Sequence, residues 1–185
     1  VLALRAIWES FQTGETLRFE GEHYQHTLMT PFFDPGPIDH PEIPIYIAGV
    51  NTRLARLAGE ICDGFHVHPF HSSEYVRQTV KPAIAEGAEG AGRDPEQVTL
   101  ATSVFVIVTG DEAADAEQRE SVRSQVSFYA STPTYRTVLE AHGWEEIGER
   151  LGVMAREKQW RERDSLRAAA IRDPREPGDG EIRGV

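Results

Sequence analysis

The sequence predicts an α/β fold in which parallel strands alternate with helices, and three observations carry that prediction. The stretch from Pro41 to Phe70, PEIPIYIAGVNTRLARLAGEICDGFHVHPF, reads as strand, turn, helix and strand. A helix joining two strands over so few residues implies a right-handed parallel crossover. Val98 to Val108, VTLATSVFVIV, is the most β-prone run of the chain and reads as a third buried strand. Helical patterns from Ser72 or Ser73 to about Ala91, and from about Glu112 to Ala130, follow the second and third strands.

The remaining elements follow in order. Leu2, Leu4, Ile7, Trp8 and Phe11 mark a helical stripe that stops at Thr13-Gly14. Leu17 to Tyr24 alternates around Gly21 and suggests a short hairpin outside the main sheet. Residues 25 to 43 carry Pro31, Pro35, Pro37 and Pro41 and form a loop long enough to be functional. Pro44 to Ala48 suits a strand buried on both faces, Gly49 ends it, and Asn51 or Thr52 caps a helix. Leu54, Ala55, Leu57, Ala58 and Ile61 form that helix's apolar stripe, Asp63-Gly64 closes it, and Phe65 to His68 is the second strand. In the next helix Val76, Val80, Ile84 and Ala88 point inward and Pro82 bends the axis, before Gly92 to Pro95 ends it. Thr109-Gly110-Asp111 turns into the helix 112–130, Ser131 to Tyr135 breaks it, and short helices over 135–142 and 144–154 complete the ordered part. Trp8, Phe11, Phe105 and Trp144 are expected in the core.

Residues 156–185 hold 15 charged residues in 30, with Pro and Gly clustered at 174–180, a composition that does not pack. The expected organisation is one domain over 1–155 and a charged tail over 156–185, either disordered or the product of a shifted reading frame. The chain opens with Val1 in mid-helix, which suggests that an N-terminal portion is missing.

With 39% hydrophobic and 26% charged residues, the composition is that of a soluble, cytoplasmic globular protein. No stretch is long enough to span a membrane and no signal segment opens the chain. A formal charge of −11 disfavours a nucleic-acid surface. Cys62 excludes an internal disulfide and reads as a buried, inert thiol.

Ligands of parallel sheets collect beyond the carboxyl ends of the strands. Gly49, Val50 and Asn51 lie beyond the first strand, at a helix start whose free N–H groups suit a phosphate, with Arg53 and Arg56 adding charge one turn on. His66 and His68 alternate around Val67, so one strand places both on one face, and His71 follows. Such a pair admits two readings: pocket-floor imidazoles beside a cofactor or substrate, or ligands of the divalent ion of a hydrolase. The other strand ends offer no further ligand before Asp111, which favours the pocket and no metal.

The helix ALRAIWESFQTGE, the segment FEGEHYQ, the strand PIYIAGVN, the helix RLARLAGEICDGFHVH and the late FVIVTGDEAADA, in this order, resemble the C-terminal half of luciferase-like oxidoreductases over residues 1–150. Within that superfamily they resemble the deazaflavin (coenzyme F420)-dependent branch more than the flavin monooxygenases. The resemblance implies a (β/α)8 TIM barrel, of which the three strands here would be the last three, in an enzyme that moves a hydride between F420 and a small organic substrate. It also implies cofactor-phosphate binding by Gly49, Val50 and Asn51, with Arg53 as an addition. A complete barrel needs on the order of 250 residues, so the 185 present are expected to be inactive alone and to self-associate through open sheet edges, the full-length protein being a homo-oligomer. No catalytic residue is carried over. The alternatives are an FMN-dependent monooxygenase, an HxH metal hydrolase, and an inactive half-barrel fragment or paralogue.

Overall fold

A computed structural model describes residues 1–108, 110 and 112–156. Thr109 and Asp111, placed by the sequence in a helix-entry turn, and the tail from 157 to 185 lie outside the described residues. Two compact units result, the first from residues 1–66 with 80–101, the second from 67–79 with the described residues from 102 onward.

In the first unit, α1 (Leu2–Thr13) ends at Gly14, whose φ of 72° is the left-handed cap that the Thr13-Gly14 pair predicts. The hairpin follows as β1 (Phe19–Glu20) paired antiparallel with β2 (Gln25–His26), Phe19 opposite His26. β3 (Tyr46–Gly49), α2 (Thr52–Ile61) and β4 (Gly64–Val67) are the expected crossover. A helical passage through α3 (Ser73–Tyr75) and a π turn (Val76–Val80), nearly all of it in the second unit, leads back to α4 (Lys81–Gly90) of the first. β5 (Thr99–Thr102) completes a parallel sheet of order β3-β4-β5. In the second unit α5 (Glu112–Ala130), α6 (Arg136–Glu140) and α7 (Glu145–Arg156) fall where the sequence puts them.

Several expectations are corrected. Of the apolar stripe expected on α2, Ala55 and Ala58 are buried, Leu54 and Ile61 are half-buried and Leu57 is exposed; the buried face is Ala55, Ala58 and Gly59 against Ala83, Ile84, Gly87 and Ala88 of α4. Small residues let the two backbones touch, since a Cβ on Gly59 would overlap the Ile84 carbonyl oxygen and one on Gly87 that of Arg56. The bend expected at Pro82 appears one turn earlier. Pro82 lacks an N–H and its ring crowds the carbonyl four residues back, and the wider π turn precedes it.

Asp63 does not merely close α2, which is capped by Cys62. Its carboxylate accepts the Ile45 N–H at 2.7 Å and both contacts of the Arg5 guanidinium at 3.0 and 3.1 Å. Its backbone N–H donates to the Ile45 carbonyl and its carbonyl accepts from Thr99 N–H, each at 2.9 Å. One residue thus aligns α1, the start of β3 and the start of β5. Cys62 beside it is fully buried, and burial pushes its thiol pKa up, away from the thiolate.

β3 is not buried on both faces. It is a sheet edge on which Tyr46 and Ala48 are exposed while Ile47 is half-buried. The third strand is shorter than expected, because pairing stops at Thr102 and residues 103–108 continue without strand partners among the described residues. Val104, Val106 and Val108 are 67, 70 and 72% exposed, alternating with half-buried Phe105 and Ile107. Trp8, Phe11, Phe105 and Trp144 are half-buried, not core. No helix among the described residues is long and apolar enough to cross a membrane.

Candidate functional site

At the carboxyl end of β3, Gly49 ends the strand and Asn51 caps α2, its Oδ1 accepting the Leu54 N–H at 3.0 Å and its carbonyl the Ala55 N–H at 3.2 Å. Of the orphan N–H groups at the start of this ten-residue helix, those of Thr52 and Arg53 have no partner among the described residues. A Cβ on Gly49 would lie 2.7 Å from Leu54 Cδ1 and 3.3 Å from Phe65 Cζ, so glycine here lets the strand end pack against side chains of α2 and β4. Val50 is buried and Arg53 exposed. Arg56 is not part of this seat: its guanidinium binds Glu86 at 2.7 Å, and that carboxylate raises its pKa. The helix's first turn carries no acidic side chain, so its dipole faces an anion unopposed.

The two histidines of the HVH sequence part company. His66 lies on β4 and is exposed, like Tyr46 and Ala48 on β3. The strand ends at Val67, so His68 falls in the following turn, where its Nδ1 accepts the Phe70 N–H at 3.1 Å. That bond leaves the proton of the neutral ring on Nε2, which faces the Tyr135 hydroxyl at 3.4 Å. Tyr129 and Tyr135 rings stand 4.5 and 4.7 Å from the imidazole, and Phe70 adjoins both. Burial, then the neighbouring His71, lowers the His68 pKa. A turn in place of a continued strand removes the shared face on which an HxH metal pair depends. Among the described residues no three His, Cys, Asp or Glu side chains form a group able to hold a metal ion.

Sequence reasoning missed Tyr129, Tyr135 and Phe70. The two tyrosines flank the break at 131–134, and that placement was the available signal. It also assigned nothing to His142, whose Nε2 lies 2.7 Å from Ser72 Oγ and whose ring stacks on Trp144. A groove of about 560 Å3, lined by Arg5, Trp8, Glu42 and Asp63, lies where the chain enters β3 and β4. That is the wrong end of a parallel sheet for chemistry, and Arg5 and Asp63 are engaged with each other.

Comparison with known proteins adds the following. The sequence pattern of the luciferase-like monooxygenase family matches residues 1–175. An uncharacterized protein of Mycobacterium tuberculosis is 39% identical over 160 residues, 86% of this chain and 47% of that protein. The F420-dependent glucose-6-phosphate dehydrogenase of Mycolicibacterium gilvum is 35% identical over 98 residues, 53% of this chain and 27% of that enzyme. The structure of coenzyme F420 dependent tetrahydromethanopterin reductase from Methanopyrus kandleri superposes with a TM-score of 0.65 at 23% identity, covering 88% of this chain and 45% of that one. An F420-dependent secondary alcohol dehydrogenase, in complex with an F420-acetone adduct, gives a TM-score of 0.53 at 23% identity, covering 75% and 41%. These structural likenesses bear on the fold. The chain spans about half the length of the curated relatives that it matches over most of its own length.

Proposed function

Because the chain belongs to the luciferase-like monooxygenase family, we propose that the polypeptide carrying it is an oxidoreductase that moves a hydride between coenzyme F420 and a small organic substrate. The observation that carries the reading is the helix start at the carboxyl end of β3, where Asn51 caps α2 and the N–H groups of Thr52 and Arg53 have no partner among the described residues. F420, when bound, supplies the hydride chemistry, and this chain's share is to hold and orient it. Gly49, Val50 and Asn51 form the turn proposed to hold the cofactor phosphate, the N–H groups of Thr52 and Arg53 donate to it, and the Arg53 side chain adds charge. His66, exposed on β4, and His68, in the turn after that strand, are each proposed as substrate-contacting residues. The names of the relatives favour F420 over FMN.

A fluorescence titration with F420 tests the seat. Gly49→Asp crowds it and adds like charge, and binding is expected to fall about tenfold or more. Thr52→Asp serves as the companion, because an acid at the first helical position favours α2 itself while repelling a bound phosphate. FMN should bind more weakly than F420. If both variants keep their fold by circular dichroism and bind F420 as the parent does, the phosphate assignment is wrong.

A further inference from the structure

The second unit contains a cavity of about 110 Å3 that the cofactor reading does not use. Its wall is mainly apolar, from Phe70, Val126, Ala130, Leu139, Trp144 and Leu151. An engineered cavity of about 150 Å3 in another protein stays dry and admits benzene, so this volume suits a single six-membered ring and little more. His71 also lines it.

The proton on His71 is fixed by its surroundings. Its Nδ1 lies 2.8 Å from the backbone carbonyl oxygen of His68, which can only accept, so Nδ1 carries the hydrogen. The neutral ring then keeps its lone pair on Nε2, and that nitrogen has no partner among the described residues. His68 shows the reverse arrangement, with Nδ1 accepting and Nε2–H donating. Two imidazoles three positions apart therefore present opposite hydrogen-bonding faces. Ser72 and His142 line the cavity too, but their side chains are bonded to each other at 2.7 Å.

We propose that this cavity is a binding site for a small, ring-sized apolar molecule bearing one hydroxyl group, its ring against the apolar wall and its O–H donating to His71 Nε2. The proposal is independent of the F420 seat, and its test uses no cofactor. Ligand-observed fluorine NMR on the 185-residue chain would compare 4-fluorophenol with fluorobenzene. 4-Fluorophenol should bind about three- to tenfold more tightly, the worth of one net hydrogen bond. His71→Phe keeps an aromatic wall and should abolish that preference while retaining fluorobenzene. Ala130→Leu fills the cavity and should lose both probes, with circular dichroism confirming that the variant folds. Failure of either probe to bind the parent chain, equal binding of the two, a preference that persists in His71→Phe, or undiminished binding to folded Ala130→Leu would each overturn the assignment.

Discussion

Replacing Gly87 by Ala tests whether α2 and α4 are held together by contact of their backbones. A Cβ at position 87 would overlap the carbonyl oxygen of Arg56 and lie 2.8 Å from its carbon. Main-chain atoms cannot rotate aside as a side chain would, so the helices must part by about 1 Å along a face made mostly of alanine and glycine. Overpacking of this kind costs about 3 kcal/mol, and the better helix propensity of Ala returns about 1, leaving a net loss of about 2 kcal/mol. For a chain of this size that lowers the melting temperature by about 4–8 °C. Gly90, three residues later in the same helix, has open space where a Cβ would go. There the identical substitution should stabilise by about 0.5–1 kcal/mol. Urea unfolding of the two variants beside the parent measures both. A Gly87→Ala protein as stable as the parent would refute the backbone-contact account of the interface.

Two further outcomes are expected. Asp63→Ala strands the Ile45 N–H and the Arg5 guanidinium and should cost about 1–3 kcal/mol, whereas Asp63→Asn keeps an acceptor and should cost less than about 1. Equal losses in urea unfolding would mean that charge, and not the hydrogen bond to Ile45, is what matters. The His68 pKa is lowered from its ordinary 6.5, mainly by burial. The unfolded chain thus takes up the proton more readily, so His68 contributes stability above about pH 6.5 that is lost as pH falls through the folded-state value. His68→Phe should flatten the dependence of stability on pH just below 6.5, and an unchanged slope across a pH series of unfolding curves would contradict this.

Much of the fold was legible because local chemistry decides it. Gly14 can take a left-handed cap, Asn51 can accept from Leu54, and the acidic first turn of 112–130 suits a helix start, so those element ends could be read directly. What escaped was set by partners distant in sequence. Leu57 has the spacing of a core residue, yet the closeness of α4 selects Ala58 and Gly59 instead. VTLATSVFVIV has strand composition throughout, but a strand needs a neighbour, and pairing ends at Thr102. The site divides in the same way. The turn at 49–53 is contiguous and its Asn51 cap was legible in the sequence, while the surroundings of His68 come from Tyr129 and Tyr135, about sixty residues away, where no spacing rule reaches.

The stretch after Thr102 has a consequence for how such measurements behave. With three valines open to solvent and no strand pairing beyond β5 among the described residues, it offers hydrogen-bonding backbone and apolar surface to any extended segment that meets it. Association through it would be a bimolecular equilibrium in competition with unfolding. Protein concentration then becomes a thermodynamic variable of the chain, and its stability belongs to a stated dilution as much as to a stated temperature.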